Sequence, residues 1–232
     1  MYELFIANKN YSSWSLRPWV LLSELDIPFH ERLVPFVAGS GLSWHAFRAF
    51  SPNGKVPCLR DGDTVAWDSL AIAEYLAERH PGVWPSDPLA RAWARCAVAE
   101  MHSGFGALRA HCGMNCGLRV RLPDELPAPL RADIARINEL WGEGLSRFGG
   151  PFLAGNAFGA VDAFFAPVAF RIQTYNLVMD DAAAAYAERL RELPAMRRWY
   201  ADALLETWRD PDHEDEIRQS GTVLADLRGS AG

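Results

Sequence analysis

No Cys-x-x-Cys pair occurs among the four cysteines of this 232-residue chain, Cys58, Cys96, Cys112 and Cys116. That argues against a zinc ribbon or a dithiol redox centre. His111, Cys112 and Cys116 stand together in "HCGMNC", but no second ligand cluster accompanies them, and small cysteines in an apolar helix are usually packing. No metal site is therefore expected. No run approaches the roughly 20 apolar residues of a membrane span. "MYELFIANKN" has neither the basic segment nor the apolar core of a secretory signal. A cytoplasmic protein with no membrane association is the expectation. An excess of basic charge is also missing: 23 Lys and Arg face 29 Asp and Glu, a formal net charge of −6. Duplex binding needs a basic face, so nucleic acid is not an expected partner.

Half of the chain is hydrophobic, enough for one large domain or two smaller ones, each with its own core. The periodicity changes partway along. In residues 1–80, "YELFIA" (2–7) reads as a buried strand and "SLRPWVLLSEL" (15–25) as a helix. "HERLVPF" (30–36) alternates like a strand, with Pro35 marking its end or an edge. "LSWHAFRAF" (42–50) reads as helical, and "KVPCLRDGDTVAW" (55–67) as two strands around Asp61-Gly62-Asp63. "SLAIAEYLAER" (69–79) is a helix with Leu70, Ile72, Ala73, Leu76 and Ala77 inward. The order is βαβαββα. A proline-rich linker, residues 81–88, follows. Residues 89–210 then read as helical throughout, over 89–111, 128–148, 160–175, 182–192 and 194–208. "LPDELPAP" (122–129) is a break by its prolines. Residues 211–232 are polar and Gly-ended, and read as a loosely held tail.

Three stretches carry a resemblance. They are "SPNGKVPCL", the "DS" that begins eleven residues after its proline Pro57, and "FLAGNAFGAVDAFFAPV" in the helical half. With the element order they resemble the cytosolic glutathione transferases, over about residues 2 to 208. The resemblance implies a thioredoxin-like α/β domain followed by an all-α domain. It also implies glutathione as co-substrate, a small electrophile as the second substrate, a homodimer, and detoxifying conjugation as the activity. An isomerase or peroxidase that uses glutathione, or a non-catalytic binding module, is the alternative, since fold does not fix function.

The resemblance assigns roles to particular residues. The Val56-Pro57 bond would be cis, the one peptide type for which that form is cheap. Val56 would then pair with the cysteinyl backbone of glutathione like an added strand. Ser69, at a helix start, would hold the γ-glutamyl carboxylate, and Asp68 the γ-glutamyl ammonium. A helix N-terminus suits an anion, and both residues also read as capping. Lys55 would neutralise the glycyl carboxylate. In serine-type members the catalytic hydroxyl lies five residues before an arginine, so Arg17 points to Ser12, with Ser13 beside it. The zeta class has Ser-Ser-Cys-Ser here; this chain has Trp14 in place of the cysteine, which removes the thiol that zeta, omega and beta members use. The serine would donate a hydrogen bond to the thiolate, which is the nucleophile.

The first long helix of the second half would line the electrophile's side of the cleft. Met101, Phe105, Leu108, Arg109 and Cys112 recur there at helical spacing. Trp14, Met101, Phe105 and Arg109 are the candidate pocket residues. An unpaired buried arginine is costly, so Arg109 must reach solvent, pair with an acid or face an anionic substrate. His102 reads as an interdomain histidine. Asp162 stands three residues after Gly159, where the family has a helix-capping Ser or Thr, and is expected to be structural.

Overall fold

The alternation in "YELFI" forms β1 (Tyr2–Ile6), which buries Tyr2, Leu4 and Ile6. A computed structural model describes residues 1–39 and 42–229. In it, β2 (Phe29–Leu33) runs parallel to β1 and β3 (Cys58–Asp61) antiparallel. β4 (Thr64–Trp67) returns on β3 through a turn in which Gly62 has φ +58°. The sheet order is β2-β1-β3-β4. Helices α1 (Ser13–Glu24), α2 (Leu42–Phe47) and α3 (Ser69–Ala77) complete a thioredoxin-like domain. α1 buries Leu16, Val20, Leu21 and Leu22, and α3 buries Ile72, Ala73 and Leu76.

The rest is a helical domain: α4 (Pro88–Ser103), α5 (Gly106–His111), α6 (Ala128–Phe148), α7 (Ala160–Tyr175), α8 (Asp181–Glu192), α9 (Pro194–Leu205) and α10 (Pro211–Ser220). α7 is its axis and packs on α1, α4 and α8. Phe164, Phe165 and Phe170 are buried there, and each such side chain contributes roughly 1.5–3 kcal/mol. Because α7 lies against α1, the two domains share one core around the start of α1.

The structure departs from the sequence expectations in three places. The helix expected over 89–111 breaks in two. Gly104 ends α4, and a Cβ there would stand 2.8 Å from the Glu100 carbonyl. Phe105 then takes a left-handed conformation, φ 57° and ψ 43°, before α5. Secondly, the helical domain carries a β-ribbon, β5 (Leu118–Arg121) paired antiparallel with β6 (Thr222–Asp226).

The third departure is the expected loose tail at 211–232, whose last three residues lie outside the described ones. Its described part is α10 and β6, and it is docked. Arg228 is 2 % exposed in its side chain and pairs with Glu214 and with Asp226, the latter at 2.7 Å. The Tyr11 hydroxyl donates to Glu214 at 2.7 Å. Polar composition misled because these charges are buried against each other. Burial alone would raise the Glu214 carboxyl, but hydrogen bonds from Arg228 and Tyr11 outweigh it and hold it below its ordinary 4.5. The hydrogen bond from Arg228 likewise holds Asp226 below 3.8. A depressed carboxyl stabilises the folded state above its ordinary pKa and loses that contribution as pH falls through the folded value. The segment should therefore undock in acid, below about pH 4. At neutral pH, Arg228→Ala should expose residues 209–229 to limited proteolysis tenfold faster than in the parent, read by mass spectrometry of the fragments.

Candidate active site

The loop from β1 into α1 puts both candidate serines at the end of the first strand. Ser12 caps α1, and its Oγ accepts the Ser15 N–H at 3.4 Å. The Ser12 and Ser15 hydroxyl oxygens lie 2.7 Å apart, and Ser15 Oγ also receives the Ala7 N–H at 3.2 Å. The Ser12 hydroxyl donates to Ser15 Oγ, and rotation about its C–O bond is what turns that proton toward the cavity. Ser13 accepts from the Arg171 guanidinium at 3.4 Å. The backbone amides here are already engaged: Ser12 N–H donates to Asn8 O at 2.9 Å and Ser13 N–H to Tyr11 O at 2.8 Å. The Ser12 and Ser13 amides are therefore not free to serve a ligand.

Both serines line a cavity of about 460 Å³. Lys55 and Val56 form its rim from the first domain, and Trp14, Arg109, Met114 and Arg171 approach from the interdomain side. Phe36, Trp44 and Phe47 supply an apolar wall, and α10 adds His213 and Glu216. Trp44 lies so close over Gly54 that a Cβ there would fall 2.5 Å from its ring, and Gly54 has φ +65° as well. Glycine is required at that corner on both counts. A larger cavity, about 590 Å³, lies between the β5 segment and α6 and contains no serine, cysteine or histidine.

The Val56–Pro57 bond is cis. Neither the Val56 N–H nor its C=O is taken by a hydrogen bond among the described residues. It precedes β3 as an open pairing edge. Asp68 caps α3 with φ 75° and ψ 136°, a conformation that costs a non-glycine residue about 1–3 kcal/mol and clusters at ligand sites. Its Oδ1 accepts Leu70 N–H at 2.8 Å, while Oδ2 stands 3.5 Å from His102 Nε2 across the domain boundary. Burial, reinforced by Arg17 and Arg109, lowers the His102 pKa despite Asp68, so the ring is held toward its neutral form. Ser69 is buried beside it, 3.5 Å from Arg17 Nη1.

The pocket candidates divide. Trp14 and Arg109 line the cavity. Met101 and Phe105 do not; they are buried core residues, because the break after α4 turns that stretch inward. Arg109 is half-buried and forms no ion pair with an acid among the described residues. Its guanidinium donates to Gly104 O at 3.1 Å and to Met101 O, and stands 4.7 Å from the Trp14 ring centroid. Sequence reasoning missed Arg171, Trp44 and the α10 residues. The first lies on an apolar helix, and the last belong to the segment read as a tail. No cysteine lines the cavity, and burial pushes the Cys112 thiol up to about 12. Among the described residues no group of His, Cys, Asp and Glu could hold a metal, and no helix is long and apolar enough to cross a membrane.

Asp162 is fully buried in the second domain. It accepts Leu153 N–H and Gly159 N–H, each at 3.0 Å, and the Tyr186 hydroxyl at 2.7 Å. With Gly159 at the cap position, the carboxylate organises the start of α7 from within the helix.

Residues 11–79 match the family described as "Glutathione S-transferase, N-terminal domain". The chain is 27 % identical to glutathione S-transferase GstB of Escherichia coli, over 82 % of this chain and 94 % of that protein. It is 35 % identical to human glutathione S-transferase theta-1, over 48 % of this chain and 46 % of that one. A theta class glutathione S-transferase of Xanthomonas axonopodis, solved with glutathione bound, superposes with a TM-score of 0.64 and 26 % identity, covering 86 % of this chain and 96 % of the other. The first domain thus matches the glutathione S-transferase N-terminal family, and most of the chain is similar to glutathione S-transferases in sequence and fold.

Proposed function

We propose that this chain binds glutathione in its first domain and transfers the glutathione sulfur to a small electrophile held against the helical domain. One observation carries this reading above the others. The open edge at cis Val56–Pro57 and the paired serines share one cavity, whose remaining walls come from aromatic residues of the first domain and from Arg109, Met114, Arg171 and α10 of the second. The cysteinyl backbone of the tripeptide pairs with Val56, its γ-glutamyl end meets Asp68 and Ser69, and its glycyl end meets Lys55. Its sulfur then reaches the start of α1. A free thiol titrates near 8.5, and lowering that by about two units needs roughly 2.7 kcal/mol of preference for the thiolate. The Ser12 hydroxyl, turned from Ser15 toward the sulfur, supplies the hydrogen bond. The Arg171 cation beside Ser13 and the positive end of α1 add field of the same sign. The thiol proton leaves to solvent, and the thiolate adds to the electrophilic carbon. We further propose that the protein acts in the cytoplasm as a homodimer.

The absence of any cysteine from the cavity wall among the described residues weighs against a thiol-exchange variant, in which a protein thiol takes part. Binding is the direct test. Isothermal titration with glutathione should give saturable heat in the parent chain and at least a tenfold weaker Kd in an Asp68→Ala, Ser69→Ala double variant. Equal affinity in both would move the tripeptide to another site.

A further inference from the structure

Three arginines meet around the start of α1 with no acid to answer them. Arg171, from α7, is 5 % exposed and lines the cavity; its guanidinium donates only to Cys112 O and Ser13 Oγ. Arg109 lines the same wall and donates only to backbone oxygens and the Met101 sulfur. Arg17 lies behind them, 1 % exposed, with Nε and one Nη unpartnered and its guanidinium 4.1 Å from the Trp14 centroid. The three act on one another: burial first, then Arg109 and Arg171, lower the Arg17 pKa, and burial and Arg109 lower that of Arg171 to about 10. Asp68 and Asp133 oppose this at a distance, toward Arg17 and Arg109, but neither is ion-paired to them among the described residues. Glu216 is the one carboxylate on the cavity wall, on the α10 side.

Such an arrangement is expensive when empty. An unpaired buried cation carries a desolvation penalty of several kcal/mol, and like charges add to it. A bound anion removes the cost, and a guanidinium presents two parallel donors that match a carboxylate. One thiolate is a single point charge and answers Arg171 beside Ser13. Arg17 stands behind Ser69, at the γ-glutamyl end of the tripeptide. Arg109 is left over, on the wall of the same cavity and beside Trp14.

We infer that the second substrate is a small aromatic or unsaturated electrophile bearing a carboxylate, which is held by Arg109 with help from Arg171. This rests on the transferase reading above and narrows its substrate class. For an aryl chloride the chemistry balances simply. The thiolate's electron pair forms the carbon–sulfur bond, the carbon–chlorine bond breaks, and chloride leaves with its pair.

The test uses 4-chloro-3,5-dinitrobenzoate and the matching neutral 4-chloro-3,5-dinitrobenzamide, with kcat/KM for each divided by the uncatalysed rate constant. The parent chain should favour the benzoate at least tenfold on that scale. Arg109→Met should lose that preference, and Arg109→Lys should recover part of it. Equal preference in the parent, or a preference unchanged in Arg109→Met, overturns the inference while leaving transferase activity standing. A second measurement needs no turnover. Titration of the unreactive 3,5-dinitrobenzoate, followed by tryptophan fluorescence, should show binding that weakens at least tenfold in Arg109→Met. Binding insensitive to that change, or no binding, overturns the inference as well. Glutathione titrated in parallel separates the two readings. A chain that binds the benzoate and not glutathione keeps the anion site and sinks the transferase.

Discussion

Ser12→Ala should raise the pKa of bound glutathione by a unit or more, about 1.4 kcal/mol. Thiolate absorbance in the ultraviolet, followed against pH with glutathione saturating, reads this directly. Turnover at pH 7 should fall at least tenfold while glutathione affinity changes little, because both ends of the tripeptide stay held. The geometry sharpens the expectation. The amides of Ser12 and Ser13 are spent on Asn8 and Tyr11, so no backbone donor from those two residues replaces the lost hydroxyl. Ser15→Ala should move the titration less, because it removes only the acceptor of the Ser12 hydroxyl at 2.7 Å and leaves that hydroxyl in place. Ser13→Ala leaves Ser12 intact but frees Arg171 from its hydroxyl partner, so its shift should also be smaller. If Ser13→Ala moves the titration more than Ser12→Ala, the thiolate sits one residue further along.

The largest loss of stability should come from a residue far from the cavity. Asp162→Ala strands the Leu153 and Gly159 amides and the Tyr186 hydroxyl inside the second domain. Each orphaned buried group costs about 1–3 kcal/mol, so we expect a loss of about 3–5 kcal/mol and a fall in Tm of roughly 10 °C. Calorimetry or a dye-based melt checks it, and a shift under 2 °C would remove Asp162 from its organising role. The pH dependence has a definite sign. Burial outweighs the three hydrogen bonds and raises the Asp162 pKa from 3.8 to about 6. An acid with a raised pKa binds its proton more tightly when folded. It favours folding at low pH, and its contribution declines as pH rises from 3.8 to about 6. Asp162→Asn should flatten that part of the stability profile.

Some of this was legible in the residues themselves. α6 and α7 have the bounds that their punctuation implies, Pro127 before one and Gly149 after it, Gly159 before the other. The cap at Asp68 is a local feature of a short motif, and local features survive translation from sequence to structure; the cis bond at Val56–Pro57 followed only from the family resemblance. What was illegible depends on distance. β5 and β6 are four and five residues long and find each other across more than a hundred positions, so neither has an intrinsic signal. Arg228 reads as one more polar residue until Glu214 and Tyr11 are beside it. Arg17, Arg109 and Arg171 come from three separate helices. A single sequence shows three ordinary charges, and only the packing of α7 on α1 turns them into one electropositive wall. Met101 and Phe105 were misplaced for a different reason. Helical spacing extrapolates a straight axis, and the turn at Gly104 and Phe105 breaks that axis.

The docked end of the chain bears on how the protein comes into being. Domains fold in the order in which the ribosome delivers them, at about 5–20 residues per second. Ser12, Val56 and Ser69 emerge early, so the thioredoxin-like half can assemble well before translation ends. His213 and Glu216 reach the cavity wall, and Arg228 fastens them over Tyr11, only after some 160 further residues, roughly 8–30 s later. On the proposed reading, the nascent chain passes through a stage with the tripeptide-binding residues in place and the cavity unroofed, so that competence to bind the donor precedes competence to select the acceptor.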